Sequence, residues 1–329
     1  MGDPAGIGPD CTLFAWSARN KANLPPFALI GDPAVFSARS EALGLNVPVV
    51  EIDKPEDAVE AFAQALPVFS LRLPHAITAG VPDETSAAVI IEAIKVGFEW
   101  TRDRRTVALV TNPINKKLLM EAGFSHPGHT EFLAQLCSQG EHVPRPVMLL
   151  TSGNLRAVPV TVHIPHKDVS AALSEQLIVE TVEIVARAFP DLFDIASPRI
   201  GVTGLNPHAG EDGTLGREEL DVIIPAIGTL QDRNIAVTGP LSADAAFQER
   251  VRRQFDVIVA MYHDQALIPV KTLAFDRTVN TTLGLPIVRT SPDHGTAYEL
   301  AGTGDAHPGS LIEALRLAQS MANRQLETT

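Results

Sequence analysis

The stretch Asp256-Val257-Ile258-Val259-Ala260-Met261-Tyr262-His263 decides the fold. It reads as a short β-branched and apolar strand that stops at a histidine. Two other runs end in the same way: Pro159-Val160-Thr161-Val162 leads into His163, and Ile200-Gly201-Val202-Thr203-Gly204-Leu205-Asn206-Pro207 leads into His208. With these three, the expected strands are 27–30, 47–52, 106–111, 147–151, 157–163, 199–205, 256–262 and 286–289. Helical patterns over 84–100, 174–189, 242–255 and 310–324 alternate with them. Such alternation predicts α/β layers around a largely parallel sheet. In that architecture the carboxyl ends of the strands line the ligand crevice, so three distant histidines can meet at one point.

Composition limits the partners. The chain has 329 residues, enough for two α/β lobes, and 45% of them are hydrophobic, so each lobe can bury a core. Aromatic residues make up only 5%, and the formal net charge is −13. Few stacking rings and an acidic surface argue against nucleic acid as a partner. Cys11 and Cys137 form no CxxC pair and suit a reducing compartment. No apolar run reaches the length of a membrane span and no signal sequence opens the chain, so a cytoplasmic enzyme without a membrane partner is expected.

Three neutral imidazoles and an open position make a catalytic metal site, His163, His208 and His263 being too far apart in the chain for a zinc finger. The competing reading makes each a hydrogen-bonded residue at a strand end. Asp264, Asp168 and Asp244 could support a metal or cap helices, Asp244 by default as a cap. The dipeptide His129-Thr130 opens a helical stretch after Gly128, where free backbone N–H groups can hold a phosphate. Lys271, Arg289 and Asn280 are candidates whose plain alternative is a solvated surface side chain. Gly2-Asp3-Pro4-Ala5-Gly6-Ile7-Gly8 lacks both the third glycine and the preceding strand of a dinucleotide fingerprint. The small residues of Pro292–Ala297, among them His294, Gly295 and Thr296, permit close approach to a flat ligand, or form a surface loop.

Taken in order, MGDPAGIGPD, GHTEFLA, VHIPHKDV, GLNPHAGEDGTLGREE, GPLSADAAF, YHDQALIPVK and SPDHGTAYELAGTGDAHPGS resemble the 4-hydroxythreonine-4-phosphate dehydrogenases of vitamin B6 biosynthesis over essentially the whole chain. The last block is also similar to the cofactor loop of isocitrate and isopropylmalate dehydrogenases. The resemblance implies their two-lobed α/β/α architecture, with the active site in the cleft and at a homodimer interface where it is shared. It implies a divalent metal (zinc, magnesium or cobalt) on His163, His208 and His263. Substrate contacts are implied from His129, Thr130, Lys271, Asn280 and Arg289, and NAD or NADP contacts from His294, Gly295 and Thr296. The implied reaction oxidises a phosphorylated small-molecule alcohol to a β-keto acid, which loses carbon dioxide to give 3-amino-2-oxopropyl phosphate. Asp264 and Lys271 are the candidate proton acceptors.

Two departures stand out: the family carries a strand before MGDPAG, and His166 replaces an aliphatic residue in VHIPHKDV. Alternatives are a sister enzyme for a four-carbon sugar-acid phosphate such as D-threonate 4-phosphate, a three-histidine hydrolase or lyase without nicotinamide, and a non-catalytic metabolite-binding protein. One lobe is expected to comprise 1–125 and 280–329 with the cofactor loop, the other 126–279 with the metal histidines.

Overall fold

Eleven short strands organise the described residues, 1–126, 128–140 and 142–328 of this computed structural model. In chain order they are β1 (Leu29–Gly31), β2 (Val49–Ile52), β3 (Leu66–Ser70), β4 (Leu109–Val110), β5 (Val147–Ser152), β6 (Leu155–Pro159), β7 (Ile200–Thr203), β8 (Val237–Leu241), β9 (Val257–Ala260), β10 (Val279–Leu283) and β11 (Arg289–Pro292). The chain divides into two units: Met1–Pro146 with Leu285–Ala322, and Val147–Gly284 with Asn323–Thr329.

In the first unit β1, β3 and β2 form a parallel sheet in that order, and β4 pairs in parallel with β11. The helix Ala87–Arg102 packs here because its buried residues Ile90, Ala93, Ile94, Gly97 and Thr101 recur every three or four positions. The boundary expected at 125/126 falls at 146/147 instead. Phe124, Phe132, Leu133 and Cys137 share a core with Ile90, Ile94, Phe98 and Leu119, so the segment around helix His129–Leu136 belongs to the first unit.

In the second unit β6, β9, β7 and β8 run parallel, while β5 is antiparallel to both β6 and β10. β9 and β7 are buried along their whole length, as a strand covered on both faces must be. The helix Glu175–Phe193 starts where the Ser174 hydroxyl accepts from the Leu177 N–H (3.1 Å), and it stops at Asp194, whose φ is 57°.

Two expectations need correction. β6 ends at Pro159 rather than at His163: Val160 and Thr161 still donate to Ala260 and Met261, and the chain then turns toward the short helix His166–Asp168. The single helix expected over 242–255 is two short ones, Ala243–Ala246 and Glu249–Arg252, because Gln248 is extended between them (ψ 140°). Among the described residues no helix is long and apolar enough to cross a membrane.

Candidate active site

Because β6, β9 and β7 are parallel neighbours, the loops leaving their carboxyl ends begin along one edge of the sheet. His263 opens the helix His263–Ala274 directly after an extended Tyr262. Its Nδ1 lies 2.7 Å from Asp264 Oδ1. A carboxylate there keeps the proton on Nδ1 and directs the Nε2 lone pair outward, the tautomer a metal requires. The His163 ring stands 5.7 Å away, centroid to centroid, inclined by 49°. Two imidazoles bound to one ion at metal–nitrogen distances of about 2.0–2.1 Å have centroids roughly 5–6 Å apart, so the pair fits a shared divalent cation.

His208 does not join them. Among the described residues no three His, Cys, Asp or Glu side chains gather in an arrangement that could hold a metal ion. The close pair is therefore His163 and His263, and the place of His208 in a metal site is a matter for the proposal below. His208 sits in the turn Pro207–Gly213, not at the strand end. Five residues in succession there, His208 to Asp212, have left-handed φ values from 40° to 81°. Glu219, 2% exposed, shapes this turn by accepting from the backbone N–H groups of Leu205 (2.8 Å) and Asn206 (2.7 Å) and from Asn206 Nδ2 (2.9 Å). At Gly210, with φ 81°, a Cβ would lie 2.6 Å from Glu219 Oε2, so any side chain there would displace the carboxylate that shapes the turn. Glu218 ties the same Asn206 to Ser170, which follows the His163 loop, and the two hydrogen bonds hold its carboxyl below the usual range.

The remaining acidic and polar candidates of this unit occupy defined places. The Ser242 hydroxyl (2.5 Å), then the Ala245 N–H and the nearby His208, lower the Asp244 carboxyl. Lys271 lies two turns beyond His263 on the same helix, its Nζ 5.6 Å from the Phe275 ring. Asn280 faces Leu150 in the β10–β5 register. His166 packs edge-on against Tyr262 at 5.3 Å, so this departure from the family pattern buttresses the residue preceding His263.

The first unit collects cationic groups. Arg289 is buried at the start of β11 and donates to Thr111 Oγ1 (2.6 Å). Burial pulls its guanidinium down to about 10, which leaves it charged at neutral pH. His129 is the first residue of helix His129–Leu136, and Thr130 follows it. Burial, then the charges of Arg289 and Lys116, hold the His129 imidazole well below its ordinary value, so it is neutral at pH 7. Helix N–H groups beside Arg289 and Lys116 have the chemistry to receive an anion such as a phosphate. Lys116, which sequence reasoning passed over, begins the helix Lys116–Glu121 that the Asn115 side chain caps.

His294, Gly295 and Thr296 follow β11, and the N-terminal glycines serve this loop. The Thr296 carbonyl accepts from the Ile7 N–H (2.9 Å), and a Cβ on Gly6 would lie 2.8 Å from the same oxygen. Tyr298 donates to Asp3 (2.5 Å) and accepts from Asn115 Nδ2 (3.0 Å). Burial raises both the Asp3 carboxyl and the Tyr298 phenol, the latter to about 12. Asp10 and Arg39 form a buried ion pair. Asp10 also accepts from the Gly302 N–H (2.7 Å), while Arg39 donates to the Pro4 and Gly6 carbonyls (3.2 and 3.3 Å).

Residues 23–318 match the family model of the pyridoxal phosphate biosynthetic protein PdxA. A curated relative named 4-hydroxythreonine-4-phosphate dehydrogenase, from Methylorubrum populi, is 51% identical over 327 residues, covering 98% of this chain and 93% of that protein. Solved structures of 4-hydroxythreonine-4-phosphate dehydrogenases from Burkholderia phymatum and Klebsiella pneumoniae are 36% and 33% identical, with TM-scores of 0.82 and 0.84. Both matches cover 98% of this chain, and 96% and 98% of those chains.

Proposed function

This chain belongs to the PdxA family of pyridoxal phosphate biosynthetic proteins, and on that footing we infer that it is a 4-hydroxythreonine-4-phosphate dehydrogenase. The observation that carries the reading is the identity to curated enzymes of that name along nearly the whole chain. The reaction oxidises the secondary alcohol of 4-hydroxythreonine 4-phosphate, with NAD or NADP as hydride acceptor. The resulting β-keto acid loses carbon dioxide to leave 3-amino-2-oxopropyl phosphate.

A divalent cation on His163 and His263, with His208 as third ligand, would supply Lewis acidity where negative charge develops on oxygen. Imidazole donors favour zinc or cobalt over magnesium. We take the assembly to be a homodimer with shared active sites, in which the partner completes what one chain leaves incomplete. The exposed Ile268, Leu273 and Phe275 support such an interface.

The chain's own residues divide the remaining work. Arg289, Lys116 and the His129-Thr130 helix start bind the substrate phosphate, with His129 neutral and able to donate one hydrogen bond. Lys271 and Asn280 orient the carboxylate end. Asp264 engages His263 through Oδ1 alone, so either its other carboxylate oxygen or Lys271 as the neutral amine accepts the hydroxyl proton. His294, Gly295 and Thr296 present backbone to the nicotinamide cofactor.

Purified protein supplied with cobalt or zinc, NAD(P) and 4-hydroxythreonine 4-phosphate should reduce the nicotinamide and release 3-amino-2-oxopropyl phosphate. D-threonate 4-phosphate, which lacks the amino group of the proposed substrate, should turn over more slowly. Faster turnover of the sugar acid, or no reduction with either substrate, would overturn the assignment.

A further inference from the structure

Gln265 is buried between the carboxyl ends of β7 and β9, and its amide is shared between the two strands. Its Oε1 accepts from the Met261 N–H (2.7 Å) and from the Thr203 hydroxyl (2.8 Å), and its Nε2 donates to the Gly204 carbonyl (2.9 Å). Only 9% of the residue is exposed. Thr203 and Gly204 open the segment that runs to His208, while Met261 precedes His263 by two residues. The Met261 carbonyl in turn accepts both the N–H (3.2 Å) and the hydroxyl (2.8 Å) of Thr161, two residues before His163.

One side chain thus links the roots of all three histidine segments. The chemistry demanded of it is narrow. It must offer an acceptor to two donors and a donor to a carbonyl, at the reach of a two-methylene stem. Glutamate lacks the donor, asparagine lacks the reach, and leucine would leave the Met261 N–H and the Gly204 carbonyl buried without this partner.

We propose that Gln265 is a positioning residue of the metal site, tying the His163 and His263 segments to each other and to the root of the His208 loop, so that the His163 and His263 imidazoles are held at the spacing a shared cation requires. The inference rests on the metal reading given above.

The test uses metal-free full-length protein titrated with Co2+, followed by calorimetry and by the visible absorption of the bound ion. Gln265→Leu should weaken Co2+ binding on the order of 10- to 100-fold and shift the absorption band, as loss of an outer partner does at metal sites. Thr203→Val, which removes one of the three bonds, should weaken it by less. NAD binding and the far-UV circular dichroism should be unchanged. A purely structural role would lower the melting temperature and leave the Co2+ affinity and spectrum of the folded protein at the parent values, and that result overturns the proposal. If Gln265→Leu fails to fold, Thr203→Val decides in the same way. Failure of the parent protein to bind Co2+ would instead overturn the metal reading itself.

Discussion

The imidazoles of His163 and His263 face each other at 5.7 Å although they follow different strands. What joins them is the parallel pairing of β6 with β9, prolonged past the end of β6 by Val160 and Thr161. With Asp264 on Nδ1 of His263, the pair has the donor atoms and the spacing that the proposed metal site requires. His163→Ala and His263→Ala should each weaken Co2+ or Zn2+ binding at least 100-fold by calorimetry. Both side chains are at least partly exposed, so the unfolding free energy should move by no more than about 0.5 kcal/mol.

Arg289→Met should raise KM for the phosphorylated substrate and leave metal affinity alone, because Arg289 is assigned to the phosphate and is not among the proposed metal ligands. A charge-assisted hydrogen bond is worth about 1.5–3 kcal/mol, which corresponds to roughly 10- to 100-fold in KM. Steady-state kinetics with parallel metal titration would check both halves. An unchanged KM would remove Arg289 from the phosphate site.

The lowered pKa of His129 makes a pH-dependent stability term. An unfolded histidine titrates at about 6.5, and the folded one well below it. Between the two values the unfolded chain binds the extra proton, so this contribution is fully present above about 6.5 and is lost as the pH falls through the folded value. The urea midpoint of the parent should therefore drop more steeply below pH 6.5 than that of His129→Asn. Parallel curves would show that burial does not keep this imidazole neutral.

Asp10→Asn should be strongly destabilising, by about 3–5 kcal/mol, because it leaves the Arg39 guanidinium buried without its counter-charge. Denaturant unfolding would measure the loss. NAD affinity should fall with it, since Asp10 also holds Gly302 and Arg39 holds the carbonyls of Pro4 and Gly6.

β9, β7 and β5 were legible in the sequence because a strand buried on both faces shows itself as a short β-branched run. β3 and β10 were not: Pro67 interrupts the first, and the second is Val-Asn-Thr-Thr-Leu, whose threonines carry no apolar alternation. The unit boundary was misplaced because the apolar face of His129–Leu136 matches any neighbouring core, and only packing with Ile90 and Leu119 decides which. The histidines were found because each ends an apolar run. That logic fixes a side chain only as far as the sheet hydrogen bonding reaches. It covers His163 and His263, which lie side by side because their segments stay tied to Met261 and its neighbours. It did not reach His208, which stands in a left-handed turn shaped by Glu219. Glu219 and Gln265 escaped notice because a buried carboxylate or amide has no periodicity; their nearness to GLNPHAGEDG and to His263 was the available signal.

Anomalous diffraction from crystals grown with Co2+ or Zn2+, measured at the metal absorption edge, tests the metal site most directly. One peak at bonding distance from the Nε2 atoms of both His163 and His263 is the predicted result. A metal bound elsewhere, with these two imidazoles left uncoordinated, would contradict it.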